Sequence, residues 1–452
     1  MSLKALSPLD GRYAALSGDL SDCLSEYALF RYRVQVEVEW LIFMSERPEI
    51  SYVRPLSADE RQCLRSWVAD FGDTQARRIA DIEQTIRHDV KAVEYSLRER
   101  MADTSLADLR EAVHFCCTSE DINNLAYALM LKDAVERVWR PVAQHLVSEV
   151  TALAEATRDL PMLARTHGQP ATPSTLGKEM AVFVYRWRRQ LRRLEEIEYP
   201  GKFNGAVGTY SAHVIAYPDA PWEQIARAFV ERLGLTFAPL TTQIESHDDM
   251  AELFHLLIRF NTISLDFVRD MWSYISLGYF RQKVVSGQVG SSTMPHKVNP
   301  INFETSEANL GVSNALLEHL AVKLPVSRLQ RDLSDSSALR NVATAIGHAV
   351  VALEYARKGL ATVCVDADCL RADLVNAWEI LSEAVQTVMR KSGLENPYER
   401  MKALTRGAAI TRETLHAFIR GLDLPEEDRE RLLSLTPETY TGIAARLVDH
   451  IR

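Results

Sequence analysis

The stretch from Gly290 to Pro300, GSSTMPHKVNP, carries several side chains that could do chemistry. Ser291 offers a hydroxyl that could act as a base or nucleophile, Lys297 offers a cation, and Asn299 offers an amide that could bind a carboxylate. Glycine and proline oppose regular structure, so the stretch is predicted to be a loop between two helices. Such a loop can close over an active site. The alternative, from composition alone, is an ordinary solvated turn.

A second candidate is His167, in the segment RTHGQPATP that runs from Arg165 to Pro173. One glycine and two prolines force the chain to turn here, so we expect Thr166 and His167 to be displayed rather than packed. A lone histidine in a helical protein is more often a solvated or satisfied residue. Here the surrounding residues cannot extend a helix through His167, which makes a functional role more credible.

Two further polar clusters lie on predicted helices. Thr118 and Ser119 open the segment TSEDINN and are candidate N-caps, and a helix N-terminus is also an anion site. The triplet Arg87-His88-Asp89 lies inside 81–100, which is predicted to be one continuous helix. A solvated charged face is the alternative for that triplet.

The last cluster contains Arg331, Ser336 and Arg340. Arginine forks onto carboxylates and phosphates in a way that lysine cannot, so this cluster is a candidate anion site. Ser336 is expected to cap the helix that follows and to donate to a phosphate.

Helices must position these clusters, because most of the chain has helical rather than strand periodicity. Long apolar runs between residues 112 and 362 predict a helical bundle, flanked by smaller helical domains at 1–111 and 363–452. The predicted fold class is therefore all-α, in three domains. Some apolar stripes are wide enough to require a second subunit. The strand element expected is a short hairpin within 202–217.

Composition favours a soluble globular protein, since 47% of the 452 residues are hydrophobic and 25% are charged. A net charge of −9 without a basic tail disfavours a nucleic-acid partner, although a local cationic cluster can still bind an anionic substrate. No apolar run approaches ~18 residues and no signal-peptide core is present, which disfavours a membrane partner. The six cysteines show no metal or disulfide spacing. We expect a cytoplasmic enzyme with no metal and no cofactor.

The string GSSTMPHKVNP resembles the signature of the fumarase/aspartase superfamily, and its MPHK form is similar to the adenylosuccinate lyase branch. THGQPATP resembles another conserved region, and TSEDINN is close to the pattern of the same branch. The matches follow the family's order from Arg12 to Arg340, whereas the final domain matches weakly. The resemblance implies a three-domain all-α lyase. Its long central bundle would form the core of a homotetramer with shared active sites.

By the same resemblance, Ser291 is the catalytic base and His167 is the general acid. Lys297 and Asn299 would bind the carboxylates of the departing fumarate. The other implied contacts to a nucleotide substrate are Arg12, Tyr13, Arg87, His88, Asp89, Thr118, Ser119, Gln243, Thr305, Arg331, Ser336 and Arg340. Thr305 departs from the pattern, since close relatives are expected to have asparagine there, and its shorter side chain could weaken one phosphate or ribose contact.

The implied reaction is the β-elimination of fumarate from adenylosuccinate and from succinylaminoimidazole carboxamide ribotide, in purine nucleotide biosynthesis. One alternative is another fumarate-releasing lyase, such as argininosuccinate lyase. A second alternative is a non-catalytic protein that reuses the scaffold. The intact Ser291, His167, Lys297 and Asn299 disfavour the second, because a structural protein has no need to keep them.

Overall fold

The computed structural model describes residues 3–283, 294, 297–405 and 410–452. Helices make up most of this part of the chain, which confirms the predicted all-α class. Ser291 lies outside the described residues.

The helices follow one another along the chain with short connections. The first ten are α1 (Ala14–Leu24), α2 (Glu26–Ser45), α3 (Ala58–Ala69), α4 (Asp73–Ile86), α5 (Asp89–Met101), α6 (Ser119–Asp133), α7 (Arg140–Ala156), α8 (Leu176–Leu194), α9 (Ser211–Ala216) and α10 (Trp222–Arg232). The others are α11 (Asp248–Ser276), α12 (Ile301–Lys323), α13 (Ser334–Leu339), α14 (Val342–Ala361), α15 (Ala367–Val375), α16 (Ser382–Lys391), α17 (Pro397–Thr405), α18 (Arg412–Arg420), α19 (Glu426–Ser434) and α20 (Ala444–Leu447). A π-helical segment, Ala134–Trp139, connects α6 to α7.

The strands are very short and form two-stranded pairs. They are β1 (Pro161–Met162), β2 (Arg165–Thr166), β3 (Gln169–Pro170), β4 (Ser174–Thr175), β5 (Pro200–Gly201), β6 (Thr236–Phe237), β7 (Phe280–Gln282) and β8 (Val363–Val365). The pairs β1–β4, β2–β3 and β7–β8 are antiparallel, and β5–β6 is parallel. The hairpin expected within 202–217 is wrong, because that segment contains a loop and α9.

The chain divides into two compact units, which we describe separately. Unit 1 consists of Met1–Ala143, Gln190–Thr262 and Ala308–Glu354. Unit 2 consists of Gln144–Arg189, Ile263–Glu307 and Tyr355–Arg452. The three domains expected at 1–111, 112–362 and 363–452 remain a prediction.

Helix α2 lies in the core of unit 1, because apolar side chains surround it on all sides and almost all of them are buried. Its Trp40 ring packs against Phe203 and Phe229, with ring centroids 4.4 and 5.0 Å apart. Arg33 and Glu37 on the same helix are also buried. Buried charges are stable only when they are paired and hydrogen-bonded, so these two side chains require partners.

In unit 2, the start of α8 packs so closely against the end of α7 that only glycine fits at the contact. A Cβ atom on Gly177 would lie 2.3 Å from the Ala154 carbonyl oxygen and 2.5 Å from the Arg158 Cα atom. The Gly177 N–H also donates to the Thr157 carbonyl at 3.0 Å. The neighbouring atoms are backbone, so they cannot move aside as a flexible side chain would.

We predict opposite effects for two glycine-to-alanine substitutions. Gly177→Ala should destabilise the protein by about 1–3 kcal/mol or more through overpacking. Gly18→Ala in α1 is the matched control, because nothing lies within 4 Å of the position that a Cβ atom would occupy there. This control should stabilise the protein by about 0.5–1 kcal/mol, through the lower helix propensity of glycine. Apparent melting temperatures at one scan rate check both; equal shifts would contradict the close contact.

Candidate functional site

The helix predicted over 81–100 is broken at Arg87 and His88, so that prediction is wrong. Arg87 ends α4 in the left-handed region with φ 59°, and His88 is extended. The His88 Nδ1 atom accepts the Lys91 N–H at 3.2 Å and thereby caps α5. No glycine or proline marks this break in the sequence. The Arg87 and His88 side chains are exposed, whereas Asp89 is half-buried.

Asp89 pairs with the buried guanidinium of Arg33. The Asp89 Oδ2 and Arg33 Nη2 atoms lie 2.5 Å apart, and the Arg33 side chain is 1% exposed. Burial works to raise the pKa of Asp89, but the Arg33 charge and the Val90 N–H outweigh burial and hold that pKa below its usual value. Arg33 Nε also donates to Asn123 Oδ1 at 2.8 Å. Arg33 therefore connects the start of α5 to α6.

Helix α6 begins at Ser119 and has Thr118 as its N-cap residue, as predicted. The Thr118 N–H donates to Asp121 Oδ2 at 2.9 Å. In the same turn, Asn123 Nδ2 donates to Glu120 Oε1 at 2.7 Å. Glu120 faces the protein interior, so this contact extends the connection from Arg33 along α6.

Arg331 lies between Glu120 and Gln243. Its Nη2 atom is 3.0 Å from Glu120 Oε1 and 3.7 Å from Asp335 Oδ1. Its Nη1 atom donates to Gln243 Oε1 at 3.2 Å. Burial raises the pKa of Glu120, although Arg331 opposes the rise. The Arg331 side chain is 17% exposed, so part of it remains accessible to a ligand.

These contacts join side chains from four distant segments of unit 1 into what we call the polar chain. Its members are Asp89, Arg33, Asn123, Glu120, Arg331 and Gln243. Ser336 lies beside the polar chain, because its N–H donates to Asp335 Oδ1 at 2.6 Å. Arg340 Nη1 approaches Ser336 Oγ at 3.3 Å. The predicted capping role of Ser336 is wrong, since it lies inside α13.

The polar chain and its neighbours offer the groups that bind an anion. Arg331 and Arg340 supply planar cationic forks, Ser336 supplies a hydroxyl, and the N-terminus of α6 supplies backbone N–H groups. Arg12 and Tyr13 lie in the turn that leads into α1, and the contacts described above do not include them.

Sequence reasoning missed Arg33 and gave no role to Glu120 or Asn123. A signal was present, because Arg33 interrupts the apolar run of α2, and a charged residue is rarely buried without a partner. The partners could not be read from the sequence. Arg33 is 56 positions from Asp89 and 90 positions from Asn123.

In unit 2, His167 lies at the tip of a tight hairpin. Strands β2 and β3 pair Thr166 with Gln169, and His167 and Gly168 form the two-residue loop. Their φ angles are 55° and 75°. Positive φ at both loop residues is the requirement of a type I′ turn, and glycine meets it without steric cost. His167 is exposed, as the sequence predicted.

The base of this hairpin is anchored on both sides. Arg165 Nη2 lies 2.6 Å from Asp373 Oδ2, and the Tyr279 hydroxyl donates to the same oxygen at 2.5 Å. Burial raises the pKa of Tyr279 to about 12, and the Asp373 hydrogen bond adds to the rise. On the other side, the Thr172 hydroxyl donates to Glu383. These contacts fix the position of the turn that displays the histidine.

The described residues of the signature segment are also in unit 2. Lys297 is exposed, and its N–H donates to the Met294 carbonyl at 3.0 Å. Asn299 is half-buried. Thr305 lies on α12, where its hydroxyl donates to the carbonyl one turn earlier at 2.7 Å. The role of Ser291 as base remains a prediction.

Within residues 3–283, 294, 297–405 and 410–452, no group of three histidine, cysteine or carboxylate side chains is placed to hold a metal ion. Across the same residues, no helix combines the length and apolar character needed to cross a bilayer. The side chains described above offer acid, base and hydrogen-bonding chemistry.

Comparison with known proteins identifies the family. Residues 11–313 match the family described as lyase, and residues 327–441 match the one described as adenylosuccinate lyase C-terminal. The chain is 52% identical to an adenylosuccinate lyase of Escherichia coli (strain K12), over 100% of this chain and 99% of that protein. The chain belongs to the adenylosuccinate lyase family. Its identity to an adenylosuccinate lyase of Haemophilus influenzae is 49%, again over 100% of this chain and 99% of the relative.

This member of the adenylosuccinate lyase family also shares its fold with more distant solved structures. A fumarate lyase from Mesorhizobium sp. BNC1 has a TM-score of 0.77 at 21% identity, with 96% of both chains covered. A 3-carboxy-cis,cis-muconate lactonizing enzyme from Pseudomonas putida has a TM-score of 0.74 at 22% identity, with 98% of both chains covered. At these identities the likeness supports the fold alone.

A second buried pair on α2 holds the segment that leads into α6. His114 Nδ1 lies 2.6 Å from Glu37 Oε1, and the His114 N–H donates to Glu37 Oε2 at 3.1 Å. Burial favours the neutral ring, but the Glu37 carboxylate outweighs burial and raises the pKa of His114 above its usual value. The charged pair is therefore favoured in the folded state.

We predict that the stability difference between the wild type and Glu37→Gln depends on pH. A raised folded pKa gives stabilisation that is fully present below the unfolded histidine pKa of about 6.5 and is lost as pH rises through the folded pKa. The wild type should therefore melt a few degrees above the variant at pH 6, and this difference should shrink by pH 9. Melting temperatures at both pH values check this.

Glu39→Gln on the same helix is the control, because its partners Arg65 and Arg232 stay charged throughout. Its effect should not change between pH 6 and pH 9. A constant difference for Glu37→Gln as well would contradict a charged His114.

Proposed function

We propose that this chain catalyses the β-elimination of fumarate from adenylosuccinate, which gives AMP. We propose the same reaction on succinylaminoimidazole carboxamide ribotide, which gives the carboxamide ribotide. The observation that carries the proposal is the 52% identity to an adenylosuccinate lyase over the whole chain. The two alternatives, another fumarate-releasing lyase and a non-catalytic scaffold, have no comparable support.

The elimination breaks one C–N bond and one C–H bond. A base removes a proton from the carbon next to a carboxylate, and the electron pair is held on that carboxylate before it forms the double bond of fumarate. The C–N bond then breaks, and an acid protonates the departing nitrogen. We assign Ser291 as the base and His167 as the acid. The exposed position of His167 on an anchored turn supports this assignment.

Cationic and amide groups are needed where negative charge develops. We assign Lys297 and Asn299 to the substrate carboxylates. Neither group is buried in the described structure, so both remain available to a ligand. Thr305, one helical turn into α12, would contact the substrate through a side chain shorter than asparagine.

We assign the substrate's nucleotide to the surface formed by the polar chain. Its phosphate requires cations and hydroxyls, which Arg331, Arg340 and Ser336 supply. The further proposed contacts are Arg12, Tyr13, Arg87, His88, Asp89, Thr118, Ser119 and Gln243. The already paired Arg331 supports this role, because a guanidinium held by Glu120 and Gln243 loses little conformational freedom when it binds.

We also propose a cytoplasmic homotetramer whose active sites take residues from several subunits. Helix α12 supports assembly, because its exposed positions include a stripe of small and apolar residues at Ala308, Val312, Ala315 and Val322. Exposed apolar stripes of this kind mark interaction surfaces. The six unpaired cysteines are typical of a reducing compartment.

The direct test is fumarate release by the purified protein given adenylosuccinate, with argininosuccinate and malate as parallel controls. We expect fumarate from adenylosuccinate alone. Fumarate only from argininosuccinate or malate would contradict the substrate assignment. No fumarate from any of the three, with the folded assembly verified by light scattering, would favour the non-catalytic scaffold.

Shared active sites predict complementation between two inactive variants. Ser291→Ala and His167→Ala should each abolish turnover without disrupting the assembly. Equal random mixing should restore about a quarter of wild-type activity if the two groups come from different subunits. His167→Ala that is dissociated and reassembled alone is the control and should stay inactive. No recovery in verified mixed tetramers would mean that one chain supplies both groups.

A further inference from the structure

The loop of residues 202–210, which we call the bridging loop, connects α6 to the segment that carries Gln243. Lys202 and Asp121 meet at its start, and both side chains are completely buried. The Lys202 Nζ atom lies 2.8 Å from Asp121 Oδ1 and donates to the Gly205 carbonyl at 2.9 Å. Burying two charges costs several kcal/mol per ion, so such a pair persists only with well-satisfied hydrogen bonds.

Asp121 supplies those bonds on the α6 side. Its Oδ1 atom accepts the Asn204 N–H at 3.0 Å, and its Oδ2 atom accepts the Gly205 N–H at 3.1 Å. The same carboxylate accepts the N–H of Thr118, the N-cap residue of α6. One carboxylate therefore fixes the start of α6 and the bridging loop relative to each other.

The other side of the bridging loop holds the Gln243 segment. Asn204 Nδ2 donates to Thr241 Oγ1 at 2.8 Å, and Gln243 Nε2 donates to the Ala206 carbonyl at 3.0 Å. Gly208 has φ +79°, and a Cβ atom there would lie 2.2 Å from the Thr241 carbonyl oxygen. The loop and this segment are therefore packed backbone to backbone, so a shift of the loop moves Gln243.

We propose that Lys202 is a positioning residue, which acts with Asp121 and Asn204 through the bridging loop. It holds the Gln243 carboxamide so that Gln243 can orient the Arg331 guanidinium toward the anionic part of the substrate. Lys202 itself is fully buried and does not contact substrate. This inference rests on the proposed function, because it concerns the same nucleotide-binding surface.

A mutant cycle between Lys202→Met and Gln243→Ala tests the proposal. Lys202→Met should raise KM for adenylosuccinate about tenfold and leave kcat within about threefold, since it disturbs binding groups rather than the acid and base. In the Gln243→Ala background, Lys202→Met should change KM less than about twofold, because the path through Gln243 is already lost. Calorimetric affinity for AMP should follow the same pattern.

Leu64→Ala in α3 is the control for destabilisation alone, because Leu64 is buried at 1% exposure and belongs to another part of the core. It should lower the melting temperature without changing KM. Equal KM effects of Lys202→Met in both backgrounds would overturn the proposal, as would an unchanged KM in a less stable Lys202→Met protein. If Lys202→Met does not fold, Asn204→Ala is tested in the same cycle with the same expected result.

Wild-type turnover and AMP binding are measured first, so the two proposals fail separately. No fumarate and no AMP binding by the wild type would overturn the proposed function. An active wild type with additive KM effects would overturn only the positioning role.

Discussion

The buried guanidinium of Arg33 is the constraint on which the candidate nucleotide surface depends. A charge with 1% exposure is stable only when protein groups replace its water, and Asp89 and Asn123 do so. Those partners lie at the starts of two different helices. Satisfying one charge therefore fixes the relative position of α5 and α6. The polar groups at both helix starts are positioned as a consequence.

From α6, the same logic extends outward to Arg331. Glu120 is buried and needs a cation, and Arg331 satisfies it while remaining partly exposed. Gln243 holds the same guanidinium from a third segment, and the bridging loop holds Gln243. Each contact leaves a ligand-binding group less free to move. In the proposed enzyme, this order would lower the entropy cost of binding an anionic substrate.

The sequence predicted the features whose cause is local. Helical periodicity gave the all-α class, and glycine with proline around His167 gave the exposed turn. The break at Arg87 was missed, because neither glycine nor proline marks it, and the single-helix prediction over 81–100 was wrong. The pairings of Arg33 with Asp89 and of Lys202 with Asp121 join distant segments, which no local pattern encodes. Tertiary packing likewise replaced the expected hairpin at 202–217 with a loop and α9.

The most direct test of this account is a crystal structure of the His167→Ala protein with adenylosuccinate bound. Removal of the proposed acid should let the substrate persist. We predict that the substrate phosphate lies within hydrogen-bonding distance of Arg331, with the Arg331–Glu120 and Arg331–Gln243 contacts retained. A substrate phosphate bound away from Arg331, with the polar chain facing only solvent, would contradict the account.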